Sequence, residues 1–352
     1  MKTTRYLALA ALLGAAAPWG AAAQVQLNGA GATFPNIIYS DWMLTYNQSH
    51  PDVKLNYQSI GSGGGIRQFS DGTVDFGATD APMGDSAIAA INGNVLHIPT
   101  VMGAVVIIYN LQGVTQAVKL TPDVLADIFL GKVTKWNDAR IASINAGLTL
   151  PAADIIVVHR ADGSGTSFAF TDYLSKISPE WQQKVGKGPS VNWPVGLGGR
   201  GSEGVSSTVS QTPGAIGYVE LAYATSNKIQ FATLRNSSGN WITPTLESVT
   251  SAAAGAMKDM GPNTDFRVSI TNSSGAQAYP ISTFTWLLLH KSYSDTAKAR
   301  ALVQFVWWAE SEGQAKAPQL GYAPLPKDLH PWIQARLRSI TAAGRPVLKA
   351  AE

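Results

Sequence analysis

The stretch IIVVHRADGSGTSFAFTDYLSKI, residues 155–177, sets the fold class because it predicts a strand, a loop and a helix in succession. Ile155–His159 is almost entirely apolar, which is typical of a strand buried on both faces of a sheet. Phe168–Ile177 carries apolar residues at helical spacing, and the loop Arg160–Ser167 before it is rich in Gly and hydroxyl residues. Such strand–loop–helix units favour an α/β fold with mainly parallel sheets.

The same alternation of strands and helices continues along the chain on both sides of this stretch. Lys54–Ile60, Val101–Tyr109 and Phe284–His290 have the apolar composition of strands. Thr121–Gly131 predicts a helix, since it starts with a capping Thr followed by Pro and ends at a Gly. Thr296–Glu310 predicts another helix with its apolar residues on one face. The sequence therefore predicts sheets that are covered by helices.

Residues 1–23 have the pattern of a secretory signal peptide. Lys2 and Arg5 precede a short apolar run, and Ala21–Ala23 forms a small-residue site that predicts cleavage before Gln24. The alternative is an uncleaved anchor helix, which the Gly and Pro residues within the run disfavour. The chain has no Cys, which excludes a lipid-modified cysteine, disulfides and thiolate metal sites. We therefore expect a soluble, secreted protein.

The charge and the size of the chain limit what it can bind and how it is organised. Loss of residues 1–23 removes Lys2 and Arg5 and lowers the formal net charge from +3 to +1. A nearly neutral chain provides no overall field that would attract nucleic acid or an anionic membrane. The roughly 330 remaining residues exceed the usual size of a single hydrophobic core, so we expect two lobes. Any attraction for an anion must be local.

Three Gly-rich loops, each followed by a helical pattern, could supply this local attraction. They are Gly29–Pro35, Gly61–Gly65 and Arg160–Ser167. The N-terminus of a helix presents unpaired N–H groups and a partial positive charge, and both favour an anion. Ser and Thr hydroxyls add donors without adding charge. A single loop of this kind is more often an ordinary helix cap, but three in one chain indicate an oxyanion site.

Two acidic residues and one arginine refine this hypothesis. Arg160 is suited to a bidentate contact with a tetrahedral anion, although a surface charge at a strand end is the alternative. Asp162 either pairs with this guanidinium or caps the following helix. Asp80 either is a turn residue before Pro82 or lies at the site. An ionised Asp only accepts hydrogen bonds, so at the site it would favour an anion that carries a proton, such as phosphate, over sulfate.

Six segments together resemble the periplasmic phosphate-binding component of the high-affinity phosphate ABC transporter. They occur in the family's order through nearly the whole chain after residue 23, and they are Gly29–Pro35, Tyr57–Gly65, Val74–Pro82, Arg160–Ser167, Trp193–Gly201 and Pro213–Glu220. The resemblance implies a two-lobed type II periplasmic binding fold. Each lobe would be a mainly parallel sheet flanked by helices, and the ligand would lie in the cleft between the lobes.

The resemblance also implies a set of phosphate ligands from both lobes. One lobe would provide Thr33, the backbone N–H of Phe34, Ser62 and Asp80. The other lobe would provide Arg160, Ser164, Gly165 and Thr166, with Asp162 pairing with Arg160. The chain departs from the family pattern at Gly63, where a second Ser is common, and at His159, where another basic residue can occur. Neither position is an implied ligand, so these departures bear on affinity and local electrostatics only.

The resemblance further implies the chain path, the partners and the location. The chain would cross between lobes near Val101 and near Pro280, so that lobe 1 comprises residues 24–100 and 281–352 and lobe 2 comprises residues 101–280. The protein would bind inorganic phosphate in the periplasm and deliver it to the transmembrane permease subunits of an ABC transporter. We expect a monomer without cofactor, metal or enzymatic activity, and no binding to nucleic acid.

Other functions have weaker support in the sequence. Gly196–Gly201 matches the dinucleotide fingerprint formally, but it follows Trp-Pro instead of a buried strand. The five His residues show no metal-binding spacing. His159 and Ser164 could form a base and a nucleophile, but a His at the end of a strand is usually structural. Two alternatives remain: a receptor for another oxyanion, such as sulfate or molybdate, and a secreted phosphatase. Asp80 disfavours the receptor, and the lack of a nucleophile or metal set disfavours the phosphatase.

Overall fold

The computed structural model of the protein describes residues 24–348. The predicted signal peptide, residues 1–23, lies outside the described residues. Within residues 24–348, no helix has both the length and the apolar composition needed to cross a membrane.

The strands of the described residues form one large sheet and two small ones. Their bounds are β1 Val25–Gly31, β2 Val53–Ser59, β3 Phe76–Thr79, β4 Leu96–Tyr109, β5 Lys119–Leu120, β6 Ile156–Arg160, β7 Leu197–Gly199, β8 Ala215–Glu220, β9 Gln230–Phe231, β10 Thr233–Arg235, β11 Trp241–Ile242, β12 Ser282–Leu289, β13 Ser292–Tyr293, β14 Thr341–Ala342 and β15 Arg345–Pro346.

Helices follow most of the longer strands and cover the sheet. Their bounds are α1 Asn36–Ser49, α2 Ser62–Ser70, α3 Asp85–Ala90, α4 Pro122–Phe129, α5 Ala139–Ala142, α6 Gly165–Ile177, α7 Pro179–Lys184, α8 Gly201–Gln211, α9 Leu221–Ser226, α10 Leu246–Ala254, α11 Thr296–Glu310 and α12 His330–Arg338.

The large sheet has nine strands in the order β2-β1-β3-β12-β4-β8-β6-β7, with β9 also pairing with β4. Strand β1 runs parallel to β2 and β3, and β6 runs parallel to β7 and β8. The two halves are joined by β4, which pairs antiparallel with β12 through Leu96–Ala104 and with β8 through Val105–Tyr109. The predicted α/β fold with two lobes is confirmed, and its sheet is mixed because β4 and β12 run antiparallel to their neighbours. The lobe boundaries near Val101 and Pro280 stay a prediction.

Strand β4 is longer than the apolar pattern predicted, because it begins at Leu96 instead of Val101. The additional residues include Pro99 and Thr100, which interrupt the apolar pattern. Against β12, Val101 pairs with Thr285 and Pro99 pairs with Trp286, so Thr100 is an extra residue that bulges out of the ladder. A bulge of this kind tolerates a proline that cannot donate to the ladder. The irregularity lies in the middle of the buried sheet.

Packing at glycines brings α2 close to the strands that carry the first loop. A Cβ on Gly65 of α2 would lie 2.4 Å from the Cα of Gly31 and 2.8 Å from the carbonyl oxygen of Ala78. No side chain fits in this space, so the sequence requires glycine where α2 crosses the ends of β1 and β3. The N-terminus of α2 is thereby held at the carboxyl edge of the sheet, beside the loop that follows β1.

Candidate anion-binding site

The loop between β1 and α1 forms the first wall of the site. Thr33 and Phe34 are buried in it. The Thr33 carbonyl accepts from the Tyr223 hydroxyl at 2.7 Å, and the Phe34 carbonyl accepts from the Tyr322 hydroxyl at 2.7 Å. These bonds hold the carbonyls of the loop in place. The N–H of Phe34 has no acceptor within residues 24–348, which leaves it available to an anion.

Ser62 begins α2 and connects the two sides of the site. Its hydroxyl oxygen accepts from the backbone N–H of Asp80 at 3.2 Å and from the backbone N–H of Gly165 at 3.0 Å. The side chain is buried. Because its oxygen already accepts two bonds, the hydroxyl hydrogen remains to donate to a bound anion or to the Asp80 carboxylate.

Asp80 follows β3 and is only 1 % exposed. Its Oδ1 accepts from the Thr285 hydroxyl of β12 at 2.9 Å. Burial raises the pKa of Asp80 to about 7, and the hydrogen bond from Thr285 and the positive charge of Arg160 oppose this rise. The carboxyl group therefore lies inside the site, where it can accept a hydrogen bond when it is ionised.

Arg160 and Asp162 form the charged part of the second wall. The Nε of Arg160, whose side chain is buried, donates to Asp162 Oδ1 at 2.8 Å, and its Nη2 donates to Asp162 Oδ2. Gly201 N–H, at the start of α8, also donates to Asp162 Oδ1 at 3.0 Å. Burial raises the pKa of Asp162, but the hydrogen bonds and the charge of Arg160 outweigh it and hold the pKa below its usual range. The pair fixes the guanidinium and leaves its Nη1 without an acceptor in the described chain.

The N-terminus of α6 completes this wall with Ser164, Gly165 and Thr166, all of them buried. Ser164 is the N-cap, since its hydroxyl accepts from Ser167 N–H at 3.0 Å. This settles one alternative, because Asp162 pairs with Arg160 and does not cap the helix. The Thr166 hydroxyl lies near the Asp80 carboxylate, yet it makes no hydrogen bond within the described residues. A buried hydroxyl without a partner costs free energy unless a ligand satisfies it.

Direct contacts join the two walls across the cleft. The N–H of Gly63 donates to the Gly163 carbonyl at 2.8 Å, and the hydroxyls of Thr33 and Ser202 lie 2.9 Å apart. A Cβ on Gly63 would lie 3.1 Å from the Cα of Gly163, so this departure from the family pattern lies at a close contact. The facing loops therefore have the arrangement of a closed cleft.

The His159 side chain makes no hydrogen bond with Ser164 within the described residues. Its ring stacks on Trp193 with a centroid distance of 4.9 Å, and its Nδ1 lies 3.0 Å from the Arg160 carbonyl oxygen. Since the Ser164 hydroxyl caps α6, the structure does not form a pair of base and nucleophile from these residues. Among residues 24–348, no group of His, Asp and Glu side chains could hold a metal ion.

Several residues that hold the site were not predicted from the sequence. Thr285 contacts Asp80, Ser202 contacts Thr33, and the Tyr218 hydroxyl accepts from the Arg160 N–H at 3.1 Å. Thr285 and Ser202 come from segments far along the chain, and their only local signal is a polar residue within an apolar run or after a Gly-rich turn. A cavity of about 790 Å³ is lined by Asp80 together with Phe168, Asp172 and Trp286, whereas the other predicted ligands do not line it.

A two-lobed α/β fold with helix N-termini, hydroxyls and a buried arginine facing one another across a cleft defines an anion-binding receptor of the periplasmic binding class. Comparisons with known proteins agree with this class. The family model for the PBP superfamily domain matches residues 16–311.

Relatives of known name place the chain within a narrower group. It is 46% identical over 312 residues to the phosphate-binding protein PstS of Xylella fastidiosa strain 9a5c, and the alignment covers 88% of this chain and 84% of that protein. It is 44% identical over 314 residues to PstS of Pasteurella multocida strain Pm70, covering 89% of this chain and 90% of that protein. The chain belongs to the PstS family of phosphate-binding proteins, within the PBP superfamily.

Solved structures share the fold at lower sequence identity. The phosphate-binding protein of Stenotrophomonas maltophilia aligns with a TM-score of 0.68 and 19% identity, covering 90% of this chain and 94% of that chain. A high-affinity periplasmic phosphate-binding protein (PfluDING), solved with bound phosphate, aligns with a TM-score of 0.67 and 21% identity, covering 88% and 92%. These similarities support the two-lobed fold.

Proposed function

We propose that the protein binds inorganic phosphate between its lobes and delivers it to the transmembrane permease subunits of an ABC-type importer. The observation that carries this proposal is the buried Asp80 carboxyl beside the unpaired Thr166 hydroxyl and the buried Arg160 guanidinium. A carboxylate in an anion site is favourable only if the anion donates a hydrogen bond to it. Membership of the PstS family supports the same ligand.

The proposed phosphate ligands divide into free donors and donors that also shape the site. The Nη1 of Arg160, the Thr166 hydroxyl and the Phe34 N–H are free to donate to the anion, because each lacks an acceptor in the described chain. The other four donors of the predicted set also take part in the hydrogen bonds described above, and they are Thr33, Ser62, Ser164 and Gly165. Asp80 is the acceptor of the set. Helix N-termini and one arginine attract the anion locally, so no strongly basic surface is needed.

Titration calorimetry with phosphate and with sulfate at about pH 8 tests this function. We expect one phosphate to bind per chain and sulfate to produce no saturable heat, because sulfate has no proton to donate to Asp80. Preferential binding of sulfate or molybdate would contradict the proposal and favour a receptor for another oxyanion.

The preference for phosphate over sulfate should depend on pH through Asp80. Above its pKa of about 7 Asp80 is ionised and only accepts, whereas below it the protonated group can donate to sulfate. We therefore expect the preference for phosphate over sulfate to fall by about 10-fold or more when the pH is lowered from about 8.5 to about 5.5. Calorimetric competition at both pH values measures it. Asp80→Asn is the control for the ionisation of phosphate itself, and an equal pH dependence in both proteins would contradict the role of Asp80.

Replacement of Thr166 should separate binding from folding. Thr166→Val removes a buried hydroxyl that has no partner in the described protein. We expect phosphate affinity to fall about 10-fold or more, since a hydrogen bond to a charged ligand is lost. The melting temperature without ligand should stay within about 3 °C of the wild type or rise, because no protein hydrogen bond is lost. Unchanged affinity would mean that Thr166 does not contact the anion.

We propose that the protein has no catalytic role and that it is located in the periplasm after removal of residues 1–23. We also propose that it is a monomer whose lobe boundaries lie near Val101 and Pro280. The His159 and Ser164 side chains bond elsewhere, which argues against a phosphatase. Sustained turnover of a chromogenic phosphate ester by the purified protein, lost in Ser164→Ala, would contradict this part of the proposal.

A further inference from the structure

We propose that Thr285 is a positioning residue that orients the Asp80 carboxylate toward the anion, and that the bulge at Thr100 holds Thr285 in place for this purpose. The proposal rests on the proposed function, since it explains how Asp80 discriminates between anions. Thr285 belongs to β12, which contributes no residue to the predicted ligand set.

The contact between Thr285 and Asp80 is buried and specific to one carboxylate oxygen. The Thr285 hydroxyl donates to Asp80 Oδ1 at 2.9 Å, and the two residues are 0% and 1% exposed. No other side-chain hydrogen bond to the Asp80 carboxylate forms in the described part of the chain. Strand pairing explains the contact, because Trp286 pairs with Thr79, which places the preceding Thr285 opposite Asp80.

The remaining carboxylate oxygen faces the N-terminus of α6. A Cβ built on Gly165 would lie 2.6 Å from Asp80 Oδ2, so Oδ2 points toward the second wall of the site. When Thr285 occupies Oδ1, the carboxylate cannot rotate without losing this bond. Oδ2 is therefore presented to the anion as an acceptor.

The backbone of Thr285 is held by the bulge in β4. The extra residue Thr100 donates through its hydroxyl to the Thr285 carbonyl at 3.3 Å. Its hydroxyl lies 2.7 Å from the Tyr39 hydroxyl, and its own carbonyl accepts from the Gln314 side chain at 2.8 Å. Since the Thr100 hydroxyl hydrogen is used on Thr285, Tyr39 must donate to Thr100. The Tyr39 hydroxyl thus donates to Thr100, and the Thr100 hydroxyl donates to the Thr285 carbonyl. Hydrogen bonds in such a chain strengthen one another.

The Thr285 bond also favours the ionised form of Asp80. It lowers the pKa of Asp80 against the larger effect of burial, and the charge of Arg160 acts in the same direction. The other titratable groups that influence Asp80 are Glu220 on β8 and the three tyrosines Tyr39, Tyr57 and Tyr322. Burial raises the pKa values of all four groups, which opposes their ionisation beside Asp80.

Competition calorimetry with phosphate and sulfate at several pH values tests the proposal on Thr285→Val and Thr285→Ser. We expect Thr285→Val to lower the phosphate-to-sulfate preference about 10-fold near neutral pH. The pH at which the preference is lost should move upward, because Asp80 then protonates more readily. Thr285→Ser keeps the hydroxyl and should restore both properties. Thr283→Val is the matched control, since Thr283 lies on the same strand and its hydroxyl bonds to the Phe284 carbonyl instead of Asp80.

A double-mutant cycle separates positioning from a general effect on stability. In an Asp80→Asn background, Thr285→Val should produce no further change in the preference. If Thr285→Val does not fold, Thr100→Val provides the second test, and it should shift the preference in the same direction by a smaller amount. An unchanged preference and pH profile in a folded Thr285→Val or Thr100→Val protein would overturn the proposal. A wild-type protein that binds no phosphate would instead overturn the proposed function.

Discussion

Arg160→Ala is expected to weaken phosphate binding by about 100-fold or more, because truncation of one partner in a buried charged contact costs about 2–5 kcal/mol. The guanidinium is the cation held at the centre of the site, with its side chain 2% exposed. Its loss also leaves the Asp162 carboxylate near the anion without its partner, which adds repulsion. Calorimetric titration with phosphate measures the effect.

The matched control for this arginine is Arg235→Ala, which removes an exposed guanidinium that, among residues 24–348, bonds only to the Gly239 carbonyl. We expect its phosphate affinity to equal that of the wild type, which would show that net charge alone does not explain the loss. Arg160→Lys keeps the charge but not the two-bond contact with Asp162, so its affinity should lie between those of the wild type and Arg160→Ala. If Arg160→Ala bound phosphate as tightly as the wild type, the site would lie elsewhere.

Gly165→Ala is expected to reduce phosphate affinity to a similar degree for a steric reason. The added Cβ would lie 2.6 Å from both Asp80 Oδ2 and Ser62 Oγ, and 2.7 Å from the Asp80 Cα. Because the Asp80 Cα is a backbone atom and cannot rotate away, the two walls must separate. Their separation also breaks the hydrogen bond from Gly165 N–H to the Ser62 hydroxyl. We expect an affinity loss of about 100-fold, as several ligands move out of reach together.

Gly84→Ala is the control for this substitution, because a Cβ there meets no atom within 4 Å and its φ of −70° suits any residue. It should leave phosphate affinity unchanged. Small-angle scattering of Gly165→Ala with excess phosphate should show a larger radius of gyration than the wild type. Wild-type affinity in Gly165→Ala would mean that this close contact is not needed for binding.

The sequence predicted best those features that depend on local patterns. The predicted helix Thr296–Glu310 has these bounds in the structure, since an acidic N-cap and a regular apolar face define it locally. Gly29–Pro35 does precede α1, whereas Ser62–Gly65 forms the first turn of α2 and Gly165–Ser167 the first turn of α6. The prediction of helix starts at these segments is confirmed, but two of the predicted loops are largely helical. Local chemistry also provided the two alternatives for Asp162, but only the fold decided between them.

The features that the sequence did not predict depend on contacts between distant segments. The extension of β4 to Leu96 includes Pro99 and Thr100, which are compatible with a strand only because a bulge accommodates them opposite β12. The bond from Thr285 to Asp80 joins residues that are 205 positions apart. No local pattern indicates such a pair, so the residue that we propose to orient the carboxylate emerged only from the sheet register.

We propose that phosphate binds between the two lobes with a proton directed to Asp80. A crystal structure of the wild-type protein grown with phosphate tests it most directly. We predict one tetrahedral anion that accepts from the Arg160 guanidinium, the Thr166 hydroxyl and the Phe34 N–H, with one of its oxygens within hydrogen-bond distance of Asp80 Oδ2. A structure in which phosphate binds outside this cleft, or in which Asp80 turns away from the bound anion, would contradict the claim.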